Sequence, residues 1–279
     1  MEKKLIFLDI DGTLTEPGSN TPPGSALMAI RQAQEEGHRV FLCSGRSYAM
    51  LSPLLEYGFD GVIASSGGYI ICGNQVLFDC PMTQEQKLRV LGVLKNNGIF
   101  CTIECRDNSY TDESFKEFLK QNENDGGNSE LLRWREQIES SLGILPMKAY
   151  QGQPIYKIVI MCRFAQQLKE PKELLEREFV FCIQEGDQFG IINGELVNRK
   201  FDKGRGLEQV CRHFGYSAKD AVAFGDSMND LEMIRTAAFG VCMENGSQAL
   251  KNIADFVCPP VSEDGLYKGF VTLGLIKGK

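Results

Sequence analysis

The chain has 279 residues, 43% of them apolar, and a formal net charge of −7. That acidic surplus excludes bulk attraction to nucleic acid polymers or anionic lipid, and no apolar run approaches the ~20 residues needed to cross a bilayer. The opening segment meets Asp9 and Asp11 too soon for a secretory signal, so a cytoplasmic protein of one large or two modest domains is expected.

Leu5-Ile6-Phe7-Leu8 is a continuous apolar run ending at carboxylates, the pattern of a strand buried on both faces. Over residues 24–36, Leu27, Ile30 and Ala33 recur at helical spacing, and Gly37 ends the segment. Val40-Phe41-Leu42 predicts a second buried strand. A helical stretch follows in which Leu51, Leu54 and Leu55 share a face, and then a third strand at Val62-Ile63-Ala64.

From about 81 to 200 the texture changes. Strand candidates at 99–103, 155–161, 179–183 and 189–192 are separated by two stretches rich in helix formers and by polar breaks. The apolar-free segment from Gln121 to Ser129 reads as a surface loop. Beyond residue 200 the earlier alternation returns. A helix near 204–214 carries Leu207, Val210, Cys211 and Phe214 on one side. A strand at Val222-Ala223-Phe224, a helix near 229–237 and a strand at Phe239-Gly240-Val241 follow. This grammar predicts an α/β fold: a Rossmann-like parallel sheet core from residues 1–80 and 201–279, with an α+β unit of residues 81–200 inserted into it.

The ten cysteines are scattered, with no Cys-x-x-Cys pair, and only two histidines accompany them, so a zinc site is poorly supplied. Buried thiols serving as small apolar side chains are expected, with Cys101 and Cys105 the pair to check for redox chemistry.

Four segments carry chemistry. Asp9-Ile10-Asp11-Gly12-Thr13 leaves the end of a buried strand, the edge where open α/β sheets bind ligands. A carboxylate is already ionised at neutral pH and attacks phosphorus without a base to activate it. Asp11 reaches the same region as an acid and base. Gly225-Asp226-Ser227-Met228-Asn229-Asp230 adds carboxylates at a second strand end, and so many anions demand a cation. Oxygen-only ligands favour Mg2+. Asn229 and Asp230 also suit a helix start. Ser44-Gly45-Arg46 offers a hydroxyl and exposed amides as a phosphate cradle, although by itself a plain helix cap explains it better. Lys203-Gly204 opens a helix where an ammonium can hold the nucleophile and the transferring oxygens, although alone such a lysine is usually solvated.

In this order and placement, the four segments resemble the haloacid dehalogenase superfamily, and more narrowly its Cof-type phosphatases with an α/β cap of the C2 type, over essentially the whole chain. The resemblance implies Asp9 as nucleophile and metal ligand. It implies Asp11 as general acid/base that also meets the ion through its backbone carbonyl, and Asp226 as the remaining direct ligand. Asp230 would support the ion from behind these, and Ser44, Lys203 and Asn229 would hold the phosphoryl group. Many such relatives carry Asn-Gly-Ala after the third strand where this chain has Ser65-Ser66-Gly67-Gly68. An inherited contact from that asparagine is therefore not expected.

The resulting expectation is a Mg2+-dependent phosphatase of a small phosphorylated metabolite acting through an aspartyl-phosphate, with no obligate protein partner. A phosphomutase or phosphotransferase on the same scaffold, and a non-catalytic phosphate sensor, are the alternatives. The inserted unit is expected to act as a lid that favours small esters. Lys157 and Glu185 are candidate substrate contacts on its strands, against the plainer reading of surface charge.

Overall fold

The computed structural model describes residues 2–112, 144–184 and 192–278. The chain divides into two compact units: Met1–Arg46, Leu51–Asp79 and Phe201–Lys279 form one, and Ser47–Met50 with Cys80–Lys200 the other. Among the described residues no helix is long and apolar enough to cross a membrane.

The first unit opens with β1 (Leu5–Leu8), β2 (Arg39–Cys43) and β3 (Gly61–Ala64), paired in parallel. Every residue of β1 is at most 1% exposed, as a strand with neighbours on both sides and helices on both faces must be. The helix Gly24–Glu35 buries Ala26, Ala29, Ile30 and Ala33, while Leu27 is only half-buried: small side chains set its inner face. An antiparallel pair that the sequence analysis does not assign, β4 (Tyr69–Cys72) and β5 (Gln75–Asp79), turns on Gly73-Asn74 and extends the sheet past β3.

The second unit is built on β6 (Phe100–Cys105), β7 (Ser109–Thr111), β8 (Ile144–Pro146), β9 (Ile155–Cys162), β10 (Phe179–Gln184) and β11 (Ile192–Asn198). They form one sheet in the order β10-β11-β9-β6-β7-β8. The helices Gln84–Asn96 and Lys169–Leu175 belong to the same unit. Val90, Leu94, Ile103, Ile158, Ile160, Leu175 and Phe179 share its core. The first helix is started by a capping box in which Thr83 Oγ1 accepts from Gln86 N and the Gln86 side chain returns to Thr83 N.

The fourth expected strand, 189–192, meets the observed β11 only at Ile192. The strand runs on through Glu195, whose charge disguises it in sequence. Glu195 is 5% exposed and pairs with Lys157, which also lies 3.3 Å from Glu104. Lys157 is therefore not surface charge on a half-exposed sheet: all of β9 is buried, and two carboxylates engage its ammonium. Residues 121–129 and Glu185 lie outside the described residues.

Returning to the first unit, β12 (Ala221–Gly225), β13 (Phe239–Met243) and β14 (Phe256–Cys258) complete a sheet of order β14-β13-β12-β1-β2-β3-β4-β5. β1 lies between β12 and β2, with Leu8 opposite both Phe224 and Leu42. The helix Lys203–His213 buries Leu207, Val210 and Cys211 and is capped by Asp202, which accepts from Arg205 N at 2.7 Å. Gly204 is required there, because a Cβ would stand 2.5 Å from Glu232 O of the helix Leu231–Thr236.

All ten cysteines are free thiols. Burial pushes the Cys101 and Cys105 thiols up to about 12, which suppresses the thiolate that redox chemistry needs.

Candidate active site

The site is assembled by strand order. β1 and β12 are neighbours in register, and Asp9 N donates to Phe224 O at 3.0 Å, carrying the pairing one residue past the strand. Asp9 and the 226–230 turn therefore emerge together at the carboxyl edge of the sheet. Gly12 (φ +84°) makes the close approach possible: a Cβ there would stand 2.4 Å from Asp226 Oδ2.

Lys203 enters this cluster from the start of its helix. Its ammonium donates to Asp9 Oδ1 at 2.6 Å, to Asp230 Oδ1 at 2.6 Å and to Asn229 Oδ1 at 3.1 Å. Its side chain has no exposure, so the charge is fully committed to these partners. Asp230 is equally buried. Its other oxygen accepts from Asp226 N at 3.0 Å and Ser227 N at 3.1 Å, so this carboxylate fixes the turn that presents Asp226.

One carboxylate oxygen from each of Asp9, Asp226 and Asp230 lies within 4.8 Å of the others. Burial and the neighbouring Asp230 charge raise Asp9 to about 7 against the pull of Lys203. Burial and the Asp9 charge raise Asp226 to about 9. Asp226 Oδ1 is buried with no hydrogen-bond partner among the described residues. An orphaned oxygen beside a second carboxylate, in an all-oxygen donor set, fits a hard divalent cation. Because the Asp230 oxygens are already engaged, Asp9 and Asp226 are the side chains left to meet it.

Asp11 points elsewhere. Arg46 grips it with a two-pronged fork, Nε to Oδ2 at 2.9 Å and Nη2 to Oδ1 at 2.6 Å, and also donates from Nη2 to Ser19 O at 3.2 Å and from Nη1 to Asn20 Oδ1. Arg46 was expected beside the phosphate. Its guanidinium is instead buried and committed to Asp11 and the 19–20 loop, because a carboxylate matches the planar fork. The other member of that segment, Ser44, is 2% exposed and accepts from Arg46 N at 3.1 Å, a local turn and not a helix cap, since the next helical segment begins only at Ala49. Gly45 lies between them at the end of β2.

Two features escaped the sequence analysis. Asn245, just beyond β13, donates from Nδ2 to Gly12 O at 3.0 Å and to Asp226 Oδ2 at 3.3 Å, joining the two acidic loops. Its position at a strand's carboxyl end was the available signal. Ser65 and Ser66 hold φ of +50° and +58°, the left-handed region that β-carbon sterics disfavour, and Ser66 N donates to Ser44 O at 2.9 Å. This chain thus holds a left-handed turn at two serines, without the glycine or asparagine that favours it.

Comparison with known proteins places the chain in a family. The profile of the haloacid dehalogenase-like hydrolase family matches residues 6–270. The chain is 28% identical to a Bacillus subtilis (strain 168) protein named "Putative phosphatase YkrA", over 99% of this chain and 100% of that one. It is 27% identical to the 5-amino-6-(5-phospho-D-ribitylamino)uracil phosphatase YwtE of the same organism, over 94% and 95% of the two chains. Among solved structures, a hypothetical protein from Geobacillus kaustophilus HTA426 superposes with a TM-score of 0.80 at 24% identity, covering 99% of this chain and all of the other, a likeness of fold.

Proposed function

The chain belongs to the haloacid dehalogenase-like hydrolases, and from that membership we propose that it is a Mg2+-dependent phosphatase of a small phosphorylated metabolite. The observation that carries this reading is the convergence of the Asp9, Asp226 and Asp230 carboxylates, with the buried ammonium of Lys203 donating to Asp9 and Asp230. An ionised Asp9 attacks phosphorus as the bond to the leaving oxygen breaks, giving an aspartyl-phosphate. Asp11, released from Arg46, donates its proton to the leaving oxygen and then takes one from the water that attacks phosphorus and frees Asp9. Lys203 holds charge at the attacking carboxylate throughout, with Ser44 and Asn229 toward the phosphoryl oxygens. Mg2+, held by Asp9, Asp226 and the Asp11 backbone, would supply electrostatic stabilisation of the charge on the transferring group.

Small esters are the proposed substrate class. The YwtE relative acts on a ribitylaminouracil phosphate, a small ester, and the inserted unit is proposed to set substrate choice. The test is kcat/KM, by phosphate release, for a panel of sugar phosphates, nucleotides and cofactor phosphates against an intact phosphoprotein. Preference for at least one small ester is expected. Preference for the phosphoprotein, or phosphate release unaltered by EDTA, would overturn the proposal.

A further inference from the structure

The second unit carries a cleft of about 410 Å3 between the start of the helix Gln84–Asn96 and the end of β11. Thr83, Gln86, Arg89, Arg177, Asn198 and Lys200 are among the residues that line it. We propose that this cleft binds a small multivalent oxyanion, a phosphate or carboxylate group borne by a metabolite, at a site separate from the acidic cluster of the first unit.

Three observations carry the assignment. Asn198 is 2% exposed, and its Oδ1 accepts from Lys200 N at 3.0 Å, which fixes the amide's orientation. Its Nδ2 is then left buried without a partner. Arg89 Nε is a second buried donor without one, although Arg89 Nη2 pairs with Glu178. Buried donors are nearly always satisfied, and here both belong to residues that line the same cleft.

The cleft's charge agrees. Arg177 and Lys200 are exposed on its wall, and among the described residues neither makes an ion pair, in a chain whose net charge is −7. Of the two carboxylates lining the cleft, Glu178 is occupied by Arg89 and by Gln86 Nε2 at 2.6 Å, and Glu85 is exposed at the helix start. The helix itself spans thirteen residues and directs its positive end here. Donors without acceptors select an anion, and the volume admits a metabolite rather than a polymer.

The site also has a defined place in the chain. Thr83 lies three residues after Cys80, where the second unit's main segment begins, and Lys200 is its last residue before Phe201.

Inorganic pyrophosphate, titrated into the metal-free protein and followed by amide NMR, tests the site. Saturable shifts of the Gln86 amide and the Asn198 side-chain NH2 are expected, with none from sodium chloride at matched ionic strength. Arg177→Ala/Lys200→Ala, both changes at exposed positions, should weaken this binding by about tenfold or more. Shifts confined to Ser44 and Lys203, no saturable shift at all, or equal affinity in the double variant would overturn the proposal.

Discussion

Lys203 Nζ stands 2.6 Å from Asp9 Oδ1, a pair formed across 194 residues of sequence. Burial alone would strip the lysine of its proton, but the Asp230 and Asp9 charges outweigh it and hold Lys203 well above the ordinary lysine range. The ammonium is thus the permanent counter-charge of the acidic cluster. Lys203→Met removes it and leaves two buried carboxylates facing each other. Urea denaturation at neutral pH should show a loss of about 3–5 kcal/mol, and phosphate release should fall to background. Unchanged stability would mean that the carboxylates need no fixed cation.

The Arg46 fork makes a separate forecast for Asp11. Asp11→Asn should lower turnover by about 10²–10⁴-fold on alkyl phosphates and by less on an aryl phosphate, whose leaving group needs no proton. Because Arg46 is buried, the same change withdraws its counter-ion, so thermal unfolding must be measured beside the kinetics. Equal losses on both substrate types, with the fold intact, would contradict an acid role.

Much of this was legible in sequence, and the limits have physical causes. β1 and β12 announced themselves because buried parallel strands are uniformly apolar, and the residues ending them carry the carboxylates. Arg46 was misplaced because sequence adjacency to Ser44 says nothing about which anion a long side chain reaches. Asn245 was missed because its one signal, a place just past a strand's carboxyl end, gains meaning only when the strand order sets it beside Gly12. β11 was displaced because Glu195 reads as a polar break until Lys157 is seen across the sheet. The β4–β5 pair was signalled by Gly73-Asn74 between two short apolar runs, but its partly exposed outer strand lacks the pattern of a core strand.

Ion binding should depend on pH in a defined direction. Asp9 and Asp226 are raised to about 7 and about 9, so in the metal-free fold both hold protons more tightly than in the unfolded chain. Their contribution to stability is full below the ordinary carboxylate range and is lost as pH rises through those two values. Mg2+ must displace these protons, so its stabilising effect should grow from about pH 6 to about pH 9, with proton release. Unfolding curves with Mg2+ and with EDTA across that range check this. Comparing the two at each pH cancels the cysteines and His38, which also titrate. Asp226→Ala should remove the Mg2+ response while the protein stays folded. A Mg2+ effect independent of pH, or one that survives in Asp226→Ala, would place the ion elsewhere.

The proposed reaction requires Asp9 to carry the phosphoryl group during turnover. Rapid quench in acid during steady turnover of a reactive aryl phosphate, followed by mass spectrometry of the peptide containing Asp9 and Asp11, tests it most directly. A fraction of that peptide should be heavier by one phosphoryl group, with fragmentation placing the addition on Asp9 and its complete absence in Asp9→Asn. Sustained turnover by Asp9→Asn with deamidation excluded, or a phosphoryl group found on any other residue, would contradict it.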